Sequence, residues 1–325
     1  RQIKNLSGVG MVDSKAKFRM EGAMTAMVTP FTEDGKLDVE GLRKNVEFQI
    51  ANGISGLIPC GTTGESPTLS HEEHDLVIEE TVKAARGRVP VIAGTGSNST
   101  QEALRLSKHA EEAGADAVLI VSPYYNKPTQ EGLYRHFKAI ADSISIPVVV
   151  YNIQGRTGVN IETATLARMA QSCSNIIAVK EASGNVAQMM DVLEQLPKTF
   201  SVVSGDDNMT MPLMALGGRG VISVVSNLIP RKVSDMCAAA LKGDFATARK
   251  LHFEMLPIFK AAFFETNPIP IKTAMNLAGL PAGPVRMPLC EMQPANLDKL
   301  KSVLQKMGLL KAATATVQQP QQRQR

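Results

Sequence analysis

Tryptophan is absent from the 325-residue chain, and tyrosine and cysteine occur only four times each. The cysteines, Cys60, Cys173, Cys237 and Cys290, stand far apart and form no C-x-x-C pair. That excludes a disulfide framework and a zinc knuckle, and four reduced thiols suit a cytoplasmic protein. No run of about 18 apolar residues occurs, so the sequence has no membrane-spanning helix. A surplus of charge is missing too, although the net +4 hides this. Residues 1–22 and residues 311–325 each carry a net +3, which leaves −2 on the chain between them. Without a basic middle or tryptophan, nucleic acid is not an expected partner. Residues 1–22 show no period and read as a flexible N-terminal extension. Residues 311–325, with Gln318, Gln319, Gln321, Gln322 and Gln324, read as a disordered Gln-rich tail.

Between these ends a rhythm is present. Short apolar runs occur at 26–28, 56–58, 89–92, 117–121, 147–150, 176–179, 201–203 and 221–224. Eight candidate strands at spacings of about 20 to 34 residues have the length of βα units. Helical patterns fill the gaps. Val39, Leu42, Val46 and Ile50 mark one face, and Ala103, Leu106, Ala110 and Ala113 mark another, stopped by Gly114. Ser70-x-x-Glu73 and Ser99-x-x-Glu102 read as capping boxes. An open doubly wound sheet would more often carry Gly-x-Gly-x-x-Gly after its first strand, where this chain has Thr29-Pro30-Phe31. The expected fold is therefore α/β, a (β/α)8 TIM barrel over residues 23–226. Residues 227–310 hold helices broken at Pro230, Gly243, Pro268 and Gly279, more than an eighth unit needs, and predict a C-terminal helical extension.

In such a barrel the chemistry belongs at the C-terminal ends of the strands. The sixth run ends in Lys180-Glu181. A lone lysine there is most often a solvated surface residue. Buried, its charge is costly unless it is paired or loses its proton, and a neutral amine is a nucleophile toward a ketone. Its company raises the second reading. Gly61-Thr62-Thr63-Gly64-Glu65-Ser66 follows the second run, Tyr124-Tyr125-Asn126 the fourth, Tyr151-Asn152 and Arg156-Thr157-Gly158 the fifth, and Gly205-Asp206-Asp207 the seventh. Each piece alone is weak. Gly61–Ser66 or Gly217-Gly218-Arg219-Gly220 could cradle a phosphate, Tyr151 could be packing, and Arg156 could be a surface charge. Three of the four tyrosines on one rim, together with Lys180, favour a lysine-centred carbonyl site.

Three segments resemble the dihydrodipicolinate synthase family of class I aldolases, whose superfamily includes N-acetylneuraminate lyase. They are Gly61–Ser66, Tyr151-Asn152-x-x-Gly155-Arg156-Thr157-Gly158 and Ile177-Ala178-Val179-Lys180-Glu181-Ala182, within a resemblance running from about Gly22 to Leu310. The resemblance implies a lyase that condenses pyruvate with L-aspartate 4-semialdehyde to 4-hydroxy-tetrahydrodipicolinate, in lysine and diaminopimelate biosynthesis. By the same resemblance Lys180 forms the Schiff base. Tyr151, Thr62 and Tyr125 form a proton relay, with Tyr125 reaching in from a neighbouring subunit of a homotetramer. Thr62, Thr63 and the backbone at Ile222 match positions holding the pyruvate carboxylate, and Arg156 matches the residue holding that of the semialdehyde. No metal or cofactor is implied. One departure is visible: Gln154 stands where the family usually has proline.

Ser66, His71, His74, Asn98, Glu102 and Tyr124 match positions where lysine-inhibited members bind L-lysine between subunits. Glu102 could equally close its capping box, and the histidines could be solvated helix-start residues. The rival activity is another pyruvate-dependent aldolase, of the N-acetylneuraminate lyase or keto-deoxy-sugar-acid type. Arg156 disfavours it, because a polyhydroxy chain needs neutral partners where this chain has a cation. A non-catalytic scaffold is disfavoured by the intact set Lys180, Tyr151, Thr62 and Tyr125.

Overall fold

A computed structural model describes residues 18–310. Eight parallel strands run in the order β2-β1-β8-β7-β6-β5-β4-β3. They are β1 (Gly22–Ala26), β2 (Gly56–Ile58), β3 (Ile92–Gly94), β4 (Ala117–Val121), β5 (Val148–Asn152), β6 (Ile176–Glu181), β7 (Ser201–Ser204) and β8 (Gly220–Ser223). The two ends of that order meet through a parallel bridge between Leu57 and Val91. Hydrogen bonds from Leu57 N–H to Pro90 O (3.0 Å) and from Gly94 N–H to Pro59 O (2.9 Å) flank it. The sheet is the expected barrel.

The helices between and after the strands are α1 (Val39–Ala51), α2 (His71–Ala85), α3 (Thr100–Glu112), α4 (Gln130–Ser143), α5 (Gln154–Thr157), α6 (Thr163–Ser172), α7 (Val186–Gln195), α8 (Thr210–Ala215), α9 (Pro230–Leu241), α10 (Phe245–Ala261), α11 (Ile269–Ala278) and α12 (Pro294–Lys306). Because α9 packs on β1 and β8, it completes the eighth unit, and α10–α12 form the addition.

Strand residues alternate between two apolar layers, as a two-residue period requires. Val118, Ile120, Val148, Val150, Val179 and Val202 face the helices, in the larger cluster. Met24, Ile58, Ile92, Leu119, Val149, Ala178, Val203 and Ile222 fill the barrel itself. Neither layer meets water, which is why the strands read as continuous apolar runs.

Several boundaries differ from the sequence reading; the third strand is Ile92–Gly94, not 89–92. The first strand is Gly22–Ala26, not 26–28. Its glycine and alanines have low strand propensity, yet Gly22 lies at φ +85°, where a Cβ would also stand 2.3 Å from Ser55 Oγ. Val28 has left the ladder and donates its N–H to Asn227 Oδ1 at 3.1 Å. Met20 is fully buried at the barrel interior, so packed chain begins before residue 23. Residues 1–17 of the N-terminal extension and the Gln-rich tail lie outside the described residues. Among the described residues no helix is long and apolar enough to cross a membrane.

Candidate active site

Lys180 sits on β6 between Ala178 and Ala182, which both face the barrel interior, so the strand period turns its side chain inward. It is 6% exposed. The paired residue on β5 is Tyr151, and Lys180 Nζ lies 4.0 Å from the centroid of its ring. On the other side β7 ends and Gly205 follows. A Cβ there would stand 3.0 Å from Lys180 Cε and 2.7 Å from Ala182 Cβ, so the missing side chain makes room for the lysine. Ile222 on β8 closes the same interior layer. The structure thus brings Lys180, Tyr151 and Ile222 together at the C-terminal mouth.

Glu181 is the outward neighbour and does not join them. Its buried carboxylate accepts from Ser183 N–H (2.8 Å) and Asn152 Nδ2 (3.4 Å). Gly217–Gly220 enters β8 from its N-terminal end, with Arg219 Nη1 3.5 Å from Glu21 Oε2. That end of a parallel barrel is opposite to Lys180, so this loop contributes nothing to the mouth.

The loop after β2 carries Thr62 and Thr63. Gly64 N–H bonds Gly61 O and Glu65 N–H bonds Thr62 O, both at 3.1 Å, which curls the segment tightly. Thr63 is buried and its Oγ1 accepts from Asn267 Nδ2 at 3.0 Å. The same Asn267 offers its backbone carbonyl to Arg156 Nη2 at 3.3 Å. Its own Oδ1 is buried with no hydrogen-bond partner among the described residues. Asn267 therefore stands between Thr63 and Arg156, and sequence reading missed it. Asn267-Pro268-Ile269-Pro270 was legible only as a helix break, and its nearness to the β2 loop spans 204 residues.

The second group divides. His71 Nε2 lies 2.8 Å from Glu102 Oε1, bringing the starts of α2 and α3 together. The expected capping box at Ser70 and Glu73 forms in full. The one at Ser99 forms only half: Ser99 Oγ accepts from Glu102 N–H, but the Glu102 carboxylate turns away to Ser97 Oγ and His71. Those two contacts hold Glu102 below the usual carboxylate range, Ser97 contributing most. His74 points inward instead, with Nε2 2.9 Å from Gly94 O, and burial lowers its imidazole to about 4. It is a wall of β3 and does not share the His71 face. Asn98 is tied through its carbonyl to Asn126 Nδ2 at 2.9 Å, Ser66 opens the turn before α2, and Tyr124 is half-buried. Tyr125 is 90% exposed and held at φ +74°, a left-handed conformation few side chains adopt.

A model of the dihydrodipicolinate synthetase family matches residues 19–307. The chain belongs to that family. It is 56% identical over 290 residues to the 4-hydroxy-tetrahydrodipicolinate synthase of Syntrophus aciditrophicus, covering 89% of this chain and 99% of that one. Among solved structures, the dihydrodipicolinate synthase of Acinetobacter baumannii complexed with pyruvate is 42% identical, with TM-score 0.88 over 90% of this chain and all of that one. The enzyme of Cyanidioschyzon merolae with lysine bound is 39% identical, with TM-score 0.87 over 89% of this chain and 99% of that one. The curated relative is named as a synthase that is a lyase by class, and this chain is a lyase of the same family.

The departure from the family at Gln154 has a local account. Gln154 is the first residue of α5, the helical position where proline is at ease because its N–H has no intrahelical acceptor. The turn forms with glutamine all the same. Thr157 Oγ1 donates to Ile153 O at 3.0 Å, and Gly158 ends the turn at φ +76°.

Proposed function

We propose that the chain condenses pyruvate with L-aspartate 4-semialdehyde through a Schiff base on Lys180. The observation that carries this is the amine of a buried lysine turned into the barrel mouth against Tyr151. The amine adds to the ketone of pyruvate and water leaves, giving a protonated imine. That cation draws electrons from the adjacent methyl group, which loses a proton to become an enamine carbon. The enamine attacks the semialdehyde's aldehyde carbon, and the semialdehyde's own amino group then adds to the imine carbon, closing the ring as the lysine amine leaves. Tyr151 passes protons at the imine, with Thr62 and Tyr125 as the rest of the relay, a role its approach to the Lys180 amine supports. Thr62, Thr63 and the Ile222 backbone hold the pyruvate carboxylate, and the Arg156 guanidinium holds the semialdehyde's. The exposure of Tyr125 supports its delivery to the relay of a second copy, in a homotetramer.

L-lysine is the proposed inhibitor. The contact of His71 with Glu102, and the release of Glu102 from its capping box, support a carboxylate available to an ammonium group. The lysine-bound relative supports the same reading. The deciding experiment is turnover of pyruvate and L-aspartate 4-semialdehyde, coupled to a downstream reductase, with and without L-lysine, beside borohydride trapping of pyruvate on Lys180. Turnover that L-lysine suppresses is the expected result. An adduct without turnover, or cleavage of N-acetylneuraminate, would move the chain to a sister aldolase. Turnover indifferent to L-lysine would leave His71 and Glu102 as helix-start residues.

A further inference from the structure

Glu65 occupies a conformation that a glutamate avoids. Its backbone lies at φ +54° and ψ +36°, in the left-handed region, although it follows a glycine that could have taken that place. It is also buried: both its side chain and that of Lys272 on α11 are 1% exposed, and they are joined at 2.7 Å from Nζ to Oε1. Lys272 fills its other two donor directions with Thr29 O (3.0 Å) and Pro284 O (2.6 Å). The second carboxylate oxygen of Glu65 accepts the Arg286 N–H at 2.9 Å. The guanidinium of Arg286 then grips Glu73 with two bonds, of 2.6 and 2.7 Å, in the first turn of α2. Phe31 lies between, its ring 4.3 Å from Lys272 Nζ and 4.1 Å from the Arg286 guanidinium carbon.

Such an arrangement is not needed for packing. A buried ion pair replaced by apolar side chains of similar size is often no less stable. A strained residue persists only where its surroundings over-determine it. Here the surroundings come from the C-terminal addition, and the strained residue lies between Thr62–Thr63 on one side and Ser66 on the other.

We propose that Glu65 and Lys272 are positioning residues for the reaction: the pair, reaching in from α11, holds the Gly61–Ser66 loop in the one curl that aims Thr62 and Thr63 at the carboxylate of the substrate bound to Lys180. The inference rests on the reading that these threonines hold pyruvate. Neither Glu65 nor Lys272 touches substrate; both act through the loop. The C-terminal helices are thereby part of the site's construction.

The test uses the full chain and the variant Glu65→Gln/Lys272→Met, which leaves no unpaired buried charge and keeps both shapes. Circular dichroism establishes that it folds. The KM for pyruvate is expected to rise about tenfold or more, and borohydride trapping to need correspondingly more pyruvate. The KM for the semialdehyde, measured at saturating pyruvate, is expected to stay within about threefold. A folded variant with unchanged pyruvate dependence would overturn the proposal, as would equal rises for both substrates, which signal general loosening. A second measurement needs no variant. Pyruvate added to the wild-type protein is expected to raise hydrogen-exchange protection at residues 64–66 and at the Arg286 amide together. Protection of the loop alone would sink the clamp. A wild type that takes no borohydride adduct from pyruvate would instead remove the reading beneath it, so the two failures are told apart.

Discussion

Lys180 and Lys272 are the two lysines buried among the described residues. Both amines approach an aromatic ring, at 4.0 Å from Tyr151 and 4.3 Å from Phe31. Their bonding differs. Lys272 places its three donors on a carboxylate and two backbone carbonyls. Burial lowers its proton affinity while the Glu65 carboxylate opposes that, and the anchored ammonium has no lone pair to offer. Lys180 takes part in none of the ion pairs found among the described residues; a tyrosine face and the gap left by Gly205 surround its chain. Burial alone therefore does not mark a reactive lysine. What sets the proposed nucleophile apart is an amine that the fold has left out of any ion pair among the described residues.

Substitution of both lysines by methionine should separate the two roles. Lys180→Met is expected to cut turnover by about 10⁴-fold or more and to abolish the borohydride adduct, as loss of a covalent nucleophile does. Its melting temperature is expected to stay near that of the wild type, because no ion pair is lost. Lys272→Met leaves Glu65 buried without its cation and is expected to destabilise the fold by about 3–5 kcal/mol, read by urea denaturation. A Lys272→Met protein as stable as the wild type would show that the two sites differ less than their bonding indicates.

The contrast between these lysines was only half legible in the sequence. Lys180 announced itself by ending an apolar run beside Tyr151 and the Thr62–Thr63 segment, because a parallel barrel gathers strand ends that are far apart in the chain. Lys272 sits inside an ordinary helical pattern, and nothing local reveals that its partner lies 207 residues away. Asn267 was invisible for the same reason. The eight-strand count survived from apolar runs alone. The first strand was misplaced, since its glycine and alanines have low strand propensity, and Gly22 answers a left-handed backbone beside Ser55 that propensity does not encode. His74 shows the limit of helical spacing: three residues from His71, it faces the core, while His71 faces Glu102. Spacing fixes an angle around the axis, but neighbours decide which side of that angle is buried.

A buried acid without a cation sharpens the comparison from the opposite charge. Asp207, after β7, is buried and accepts from Ser223 Oγ (2.5 Å) and from the N–H groups of Val224 (2.9 Å) and Val225 (3.2 Å). Burial raises its carboxyl to about 6, against those hydrogen bonds. An acid whose folded value lies above its unfolded one holds its proton longer when folded. Its contribution is therefore present at low pH and is lost as pH rises from about 4 to about 6, on the order of 2–3 kcal/mol. Asp207→Asn is expected to flatten that part of the stability profile, because an amide can accept from both backbone groups and donate to Ser223. A profile unchanged by Asp207→Asn would place the burial cost elsewhere.

Arg156 falls between the two lysines, with a single 3.3 Å bond to the Asn267 carbonyl and an exposed side chain, and its turn offers the finest test. Gln154→Pro restores the residue usual in the family at the first position of α5. Ile153 before it lies at φ −147° and ψ 77°, outside the α region that a following proline disfavours. The new ring removes freedom from the unfolded chain without breaking a bond in the turn, whose hold comes from Thr157. Stability should rise by about 0.4–1 kcal/mol. If the turn is already fixed by Thr157 and Gly158, the KM for the semialdehyde will move by less than about twofold. A larger fall in that KM would mean that glutamine leaves Arg156 a range of positions, and that the open end of the site, unlike the two buried lysines, is held by chain stiffness rather than by bonds.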